Sequence, residues 1–409
     1  KIMKIVVQKY GGTSVSDIKK IKKIALNIKK LKKTGVSIVL VLSAMAGETD
    51  RLIKLINSVS DVPNEREYDQ IISTGEKISS SLLVMALNEI NVNAISLDAS
   101  KINLMTNNIH SKASIVSIGT KEIKKYLKKK FVVVVPGFQG INSNNDITTL
   151  GRGGSDLSAV AIAGILKADR CELLKDDVDG IYSADPRLYN KAKKINHISY
   201  QEMLEMSSLG SKVLQSKAVE MANQLNIKIY VKSTFNNSKK GTLVMKEDKI
   251  PIKDKKVVSG ITHDLKQAKI SIIGIKDTPG IASKIFKPIS QSGIIVDMIV
   301  QNISTEGETD LTFTVPKEDL NKTFKILREN KSKLSYKKLI KDEKIALISI
   351  VGAGMKIHTG IATRMFTSLA KSKINISMIS TSEIKISCVI NQTSCKKAVS
   401  SLHKEFGLD

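Results

Sequence analysis

Three polar segments of this chain carry residue types that handle phosphate. The first, Lys9-Tyr10-Gly11-Gly12-Thr13-Ser14, directly follows the short apolar run Ile5–Gln8. Paired glycines let backbone N–H groups approach an anion, and the start of a following helix adds its dipole. A lysine at a strand end is placed to reach a phosphoryl group. The same residues also make an ordinary strand–helix turn with an incidental lysine, and the segment alone leaves both readings open. The second segment is Thr148-Thr149-Leu150-Gly151-Arg152-Gly153-Gly154-Ser155-Asp156, ahead of an apolar helix. Glycine-rich backbone with an arginine fork suits a carboxylate or a phosphate. Helix capping accounts for Ser155 and Asp156, but not for Arg152 between glycines. The third segment runs from Lys175 to Arg187, with Asp176, Asp177 and Asp179 after a strand. Its acids suit Mg²⁺ or ribose hydroxyls, or a solvated loop ending in the Asp185-Pro186 turn. Neither GxxxxGK[ST] nor a strand followed by GxGxxG occurs, so P-loop and Rossmann-type nucleotide binding are unsupported.

The elements that must position these segments alternate between strand and helix. Ile18, Ile21, Ile24, Ile28 and Leu31 recur at helical spacing with lysines between them. Val36–Ser43 and Phe131–Val135 are continuous apolar runs, and Cys171–Leu174 and Ile227–Val231 are further strand candidates. Fully apolar short runs between amphipathic helices predict a doubly wound, mostly parallel α/β sheet over residues 1–245. Residues 246–256 are charged, contain a proline and read as a linker. An internal repeat follows at an offset of 80 residues: Gly274, Gly280, Ile281, Ala282, Phe286, Ile294, Met298 and Ile299 match Gly354, Gly360, Ile361, Ala362, Phe366, Ile374, Met378 and Ile379. Each copy reads as a ferredoxin-like βαββαβ unit. The first covers 266–335. The second covers 340–409 and lacks an obvious last strand, which 257–265 would supply, so the first is expected to be inserted within the second.

Composition narrows the function classes. The chain has 409 residues with 65 Lys+Arg against 39 Asp+Glu, a formal charge of +26. Only seven of those basic residues are arginine, at 51, 66, 152, 170, 187, 328 and 364. Specific nucleic-acid readers lean on arginine forks, and with no tryptophan and 4% aromatics there is little to stack bases on. A lysine-, isoleucine- and asparagine-rich composition is what an AT-rich genome produces, so no nucleic-acid partner is expected. No apolar stretch approaches the length of a membrane span, no signal peptide is visible, and three cysteines close no disulfide framework. A cytoplasmic protein without a membrane partner is the expectation. Five dispersed histidines have no metal-ligand spacing. Lys1-Ile2 before Met3 leaves the natural start open.

Taken in order, Lys9–Val15, Ser43-Ala44-Met45 with Thr49-Asp50, Thr74-Gly75-Glu76, Pro136-Gly137-Phe138-Gln139-Gly140, Thr148–Asp156, Val178–Arg187 and Gly210-Ser211-Lys212-Val213-Leu214 resemble the aspartate kinases. The repeat resembles their tandem ACT domains, with Ile376–Ile386 especially close. The resemblance covers essentially the whole chain. It implies an amino acid kinase fold and ATP-dependent phosphorylation of the side-chain carboxylate of L-aspartate, the entry to lysine, threonine and methionine synthesis. The chain departs from the family in three places. Tyr10 stands for the usual Phe. The acidic loop is one residue longer, with Lys175 near a common Thr, which leaves open whether Asp176 or Asp177 faces the nucleotide. Gln215 stands where His is frequent.

The resemblance also implies roles. Lys9 would bridge the phosphates and Asp156 would orient it. Tyr10, Gly11, Gly12, Ser14, Gly153, Gly154, Asp177, Tyr182, Arg187 and Lys212 would contact ATP, with Mg²⁺ carried as MgATP and no resident metal. Ser43, Thr49, Glu76, Arg152 and Ser155 would hold aspartate, Arg152 on a carboxylate and Glu76 on the α-ammonium. ACT units would pair across a homodimer, with a tetramer as the larger alternative. Asp277, Ala282, Asp297 and Gln301 of one unit, and Ile361, Ala362, Asn375, Ile376 and Ser382 of the other, would bind an effector. L-Lysine is expected as the inhibitor, with threonine, alone or together with lysine, as the rival, although Asp277 is also an ordinary turn residue in Lys-Asp-Thr-Pro-Gly. Glutamate, acetylglutamate and uridylate kinases are the near alternatives, and a catalytically inactive amino-acid sensor is the more distant one.

Overall fold

The computed structural model describes residues 3–209, 213–236, 240–303 and 307–409. They fall into two units, one within 1–181, 194–207 and 212–255, the other within 182–193, 208–211 and 256–409.

The first unit is built on eight strands: β1 (Ile5–Tyr10), β2 (Ser37–Leu42), β3 (Ala94–Ser96), β4 (Val132–Pro136), β5 (Arg170–Lys175), β6 (His197–Ser199), β7 (Ile229–Ser233) and β8 (Thr242–Met245). Their order is β6-β8-β7-β5-β1-β2-β4-β3. The run from β7 to β3 is parallel throughout, and β8 alone pairs antiparallel, with β7. This is the doubly wound, mostly parallel sheet expected. The strands are continuous apolar runs because helices cover both faces. On one face α1 (Ile18–Lys32) buries Ile21, Ile24 and Ile28 with Leu83 and Leu87 of α4 (Thr74–Glu89) over Tyr10, Leu40 and Leu42. Asp17 caps α1 by accepting from the Lys20 N–H at 2.9 Å, leaving the helix's lysines on the solvent side.

The other face carries α5 (Gly154–Ile165), which buries every residue from Gly154 to Ala163. Its sequence has no polar stripe because it packs on β1, β2 and β5. A small sheet of Ile115–Ser117, Met105–Thr106, Gln139–Ile141 and Ile147–Thr149 completes the unit. Its strands are two or three residues long, too short for periodicity to reveal. Two further helices, α2 (Glu48–Asn57) and α3 (Glu65–Ile72), meet through Leu52, Ile56 and Ile72.

In the second unit two four-stranded antiparallel sheets share one plan. The first has the order 299–303, 308–316, 267–276 and 338–342, with the helix 281–291 against it. The second has the order 260–264, 345–351, 385–391 and 376–381, with the helices 361–371 and 395–405. Gly260–Asp264 therefore pairs antiparallel with Ile345–Val351, across the whole length of the other sheet's sequence. Gly280 and Gly360 precede the two equivalent helices with φ of 87° and 79°, a left-handed turn that favours glycine. Residues 182–193 also belong here. Tyr189 and Ala184 sit in the core of the second sheet's side, and Ser183 Oγ meets His403 Nε2 at 2.8 Å. Cys171, Cys388 and Cys395 are buried free thiols, and no described helix is long and apolar enough to cross a membrane.

Candidate active site

Lys9 is the penultimate residue of β1. Strand pleating turns it away from Gln8 and Tyr10, towards α5. There its Nζ lies 2.6 Å from Asp156 Oδ1, with both side chains over nine-tenths buried. Asp156 stands in the first turn of α5, where the helix dipole favours a carboxylate. Its other oxygen lies 3.5 Å from Lys175 Nζ, at the end of β5. Burial alone would raise the Asp156 pKa. The facing ammonium groups of Lys9 and Lys175 overcome that and hold it below the ordinary range. Lys9 is lowered, first by burial and then by the like charge of Lys175, against the pull of Asp156.

The turn after β1 is packed tightly. The Gly11 N–H donates to Leu174 O at 3.2 Å. A Cβ on Gly12 would come within 2.8 Å of Ala44 O, so only glycine lets this turn lie against the end of β2. Ser14 is buried, its hydroxyl 2.6 Å from that of Thr234. Tyr10 faces the other way: its hydroxyl donates to Gln8 Oε1 at 3.0 Å on the α1 side, and burial pushes its pKa up. Its side chain is core, so what it presents to the Lys9 side is backbone. A cleft of about 880 Å³ opens on the α1 side, lined by Gln8, Tyr10, Asn27, Glu172, Lys232 and Asp254, and holds none of Lys9, Glu76 or Asp156.

Glu76 approaches from the first turn of α4, 4% exposed. Its Oε1 accepts the Ala44 N–H at 3.1 Å, and its Oε2 has no hydrogen-bond partner. Desolvation by burial raises its pKa from 4.5 to about 7, opposed by the Ala44 N–H and by the charge of Lys9. Ser43 directly follows β2, its N–H donating to Tyr10 O at 3.1 Å, and Thr49 is in the first turn of α2. In the glycine-rich segment, Gly153 has φ 74°, and any Cβ there would overlap the Gln215 side chain. Gly154 and Ser155 are buried at the start of α5, whereas Arg152 is exposed in the turn.

Within the acidic loop Asp176 is tied to Lys20 of α1 at 2.7 Å, while Asp177 is exposed. Tyr182 and Arg187 fall in the second unit, where Arg187 grips Asp185 through Nε and Nη2 at 3.0 and 2.8 Å. Lys212 lies outside the described residues. A residue that sequence reading passed over is Asp69 of α3, fully buried. It accepts from Ser111 N at 2.9 Å, Thr149 N at 3.0 Å and Thr149 Oγ1 at 2.6 Å, with His110 Nδ1 at 2.9 Å. It anchors the strand that leads into Gly151-Arg152. Its only sequence signal is an acid at a core position of a short amphipathic helix.

Among the effector candidates, Asp277 is exposed ahead of the helix 281–291, in which Ala282 is half-buried, and its N–H donates to Gly307 O. Asp297 and Gln301 are exposed at and beside the edge strand 299–303. Ile361 and Ala362 open the equivalent helix, Asn375 and Ile376 lead into the equivalent edge strand 376–381, and the Ser382 N–H donates to Lys385 O. Both groups thus occupy corresponding places in the repeat.

Comparison with known proteins accords with this architecture. Residues 4–233 match the amino acid kinase family, and residues 270–330 and 348–406 match the ACT domain. The chain is 46% identical over 407 residues to an aspartokinase of Pseudomonas aeruginosa, covering 100% of this chain and 98% of that one. Among solved structures it resembles Escherichia coli aspartokinase III in complex with aspartate and ADP, at a TM-score of 0.81 and 25% identity over 99% of this chain and 100% of that one. The same enzyme in complex with lysine and aspartate gives 0.77 over 98% and 99%. With an identity of 46% sustained over its whole length, the chain belongs to the aspartate kinases of the amino acid kinase family.

Proposed function

We propose that this protein transfers the γ-phosphoryl group of ATP to the side-chain carboxylate of L-aspartate. The observation that carries the reading is the buried Lys9–Asp156 pair at the carboxyl end of the parallel sheet, with the unpartnered Glu76 oxygen on the same side. Open α/β sheets bind ligands at that edge. The aspartate carboxylate is ionised at neutral pH, since its free pKa is about 3.9, so no general base is needed. A carboxylate oxygen attacks the γ-phosphorus, the bond from that phosphorus to the β–γ bridging oxygen breaks, and ADP leaves. Catalysis is then positioning and charge stabilisation. Lys9 steadies the charge on the transferring group and Asp156 holds its ammonium in place. Gly12 and Gly153 offer backbone N–H groups to the phosphates; the N–H groups of Gly11 and Gly154 are held by Leu174 O and Gly151 O, so those two glycines contribute by letting the phosphates approach the backbone closely. Arg152 clamps a substrate carboxylate bidentately, Glu76 Oε2 takes the α-ammonium, and Ser43, Thr49 and Ser155 add hydrogen bonds. Of the two adjacent acids, Asp177 is the one left for the nucleotide, because Asp176 is tied to Lys20.

Among the described residues no group of three or more His, Cys, Asp or Glu stands ready for a resident metal. A Mg²⁺ ion would enter as MgATP, held by phosphate and water. Ile299 and Ile379 on the two corresponding edge strands are 50% and 43% exposed. Uncovered apolar edges of this kind suit side-by-side pairing in a homodimer, with the effector residues between the paired units. Lysine is the effector we favour, because the acids Asp277 and Asp297 suit its ammonium groups and a related enzyme binds it. The test is an ATP-plus-aspartate assay that traps the acyl phosphate with hydroxylamine, repeated with lysine and threonine added. Formation of aspartyl hydroxamate and its suppression by lysine are expected. No hydroxamate would refute the kinase reading, and indifference to both amino acids would refute the sensing role.

A further inference from the structure

Lys175 stands apart from the chain's many solvated lysines. It is the last residue of β5, and its side chain is only 17% exposed. In the sheet register Lys9 pairs with Leu173. Neighbouring residues in register share a face, and residues two apart on one strand share it too. Lys175 therefore projects on the same side as Lys9, roughly 6–7 Å nearer the carboxyl edge. Asp156 lies between them and gives one oxygen to each, at 2.6 Å to Lys9 and 3.5 Å to Lys175.

The triad Lys9–Asp156–Lys175 sets two ammonium groups against one shared carboxylate, while burial draws the nearby Glu76 carboxyl towards its neutral form. A surplus positive charge in a largely desolvated site is costly until an anion arrives. The tight contact belongs to Lys9. Lys175 keeps the longer, weaker one, so its ammonium has donors left to turn outward. The Gly11-Gly12 turn after β1 is held beside it by the bond from Gly11 N–H to Leu174 O, which leaves the Gly12 N–H as the backbone donor nearby.

We propose that Lys175 is a second phosphate-binding cation of this site: its Nζ contacts the nucleotide polyphosphate further towards the sheet edge than Lys9 does, with Asp156 setting the spacing of the two ammonium groups. The assignment rests on the kinase reading above.

The experiment compares wild type with K175M, K175Q and K175R. ADP affinity is measured by calorimetry without aspartate, and KM for ATP and for aspartate by hydroxamate formation. Loss of one charge-assisted contact predicts that K175M and K175Q weaken ADP and raise the ATP KM about 10- to 100-fold. The aspartate KM should stay within about twofold, and K175R should restore most of the nucleotide affinity. K175Q carries the same expectation if K175M fails to fold. Unchanged ADP affinity in the neutral variants would overturn the proposal. So would equal losses for both substrates without rescue by arginine, because a merely structural lysine behaves that way. Calorimetry keeps the two readings apart. A wild type that binds ADP but makes no aspartyl hydroxamate removes the aspartate reading, while the Lys175 contact is still decided by the ADP titration.

Discussion

Replacing Glu76 by glutamine should make the ligand-free protein less sensitive to pH while it weakens substrate binding. Glu76 is 4% exposed with Oε2 unpartnered, and burial holds its pKa near 7 against 4.5 for the free side chain. Between those values the folded protein retains a proton that the unfolded chain has released, so stability falls as pH rises. At 1.36 kcal/mol per pKa unit, the loss from this group between pH 5 and pH 8 is about 2.5 kcal/mol. Glutamine abolishes the pH-dependent part. Its buried amide adds a constant cost, which cancels when two pH values are compared. For a domain of this size, roughly 2–4 °C per kcal/mol translates into a wild-type thermal midpoint that drops about 5–10 °C further than that of E76Q over this range. In the same variant the aspartate KM should rise about 10- to 100-fold, the scale of one charge-assisted hydrogen bond. The acid limb of kcat/KM for aspartate, with its midpoint near pH 7 in wild type, should also disappear. Differential scanning fluorimetry at pH 5, 6, 7 and 8, paired with aspartate saturation curves, reads all three. Parallel melting-versus-pH curves for the two proteins would show that Glu76 is not the desolvated acid described, and an unchanged aspartate KM would remove it from the substrate site.

Other substitutions probe the remaining contacts. K9A should cut kcat about 100- to 1,000-fold, in line with loss of one preorganised charge-stabilising donor, with the circular dichroism spectrum unchanged; near-normal turnover would show that Lys9 is not in the machinery. R152A should raise the aspartate KM about 10- to 100-fold and leave the ATP KM within about twofold. An equal loss for both substrates would move Arg152 to the phosphates. D69A should destabilise the first unit by about 3–5 kcal/mol, because the donors of Ser111 and Thr149 lose a buried partner. Urea unfolding followed by fluorescence checks it, and a loss under about 1 kcal/mol would contradict the anchoring role.

Much of the scaffold was legible because local pattern and tertiary environment agree. Runs such as Val36–Ser43 and Phe131–Val135 are apolar on both sides, which only a sheet covered on both faces requires, and each lies on a parallel strand. The isoleucines of α1 recur at helical spacing because one stripe of that helix is in the core. The 80-residue repeat reappears as two sheets of one plan, with a left-handed glycine before each equivalent helix. The short strands of the small sheet and the buried acid Asp69 left no such trace. A two-residue strand has no period, and an acid inside a helix looks solvated until its partners are known.

What the sequence determined by itself was the inventory: the strand–helix alternation, the glycine-rich turns, and the few polar residues set among apolar runs. Tertiary structure decided the pairings. Lys9 meets Asp156, and Asp156 also meets Lys175, because β5 lies beside β1 and α5 lies across both. That neighbourhood follows from strand order, which no periodicity encodes. Pleating then decided the faces, turning Tyr10 into the core while Lys9, one residue before it, enters the site. Burial decided the protonation, since the same glutamate that is an ordinary acid in the unfolded chain titrates near pH 7 once water is stripped from it.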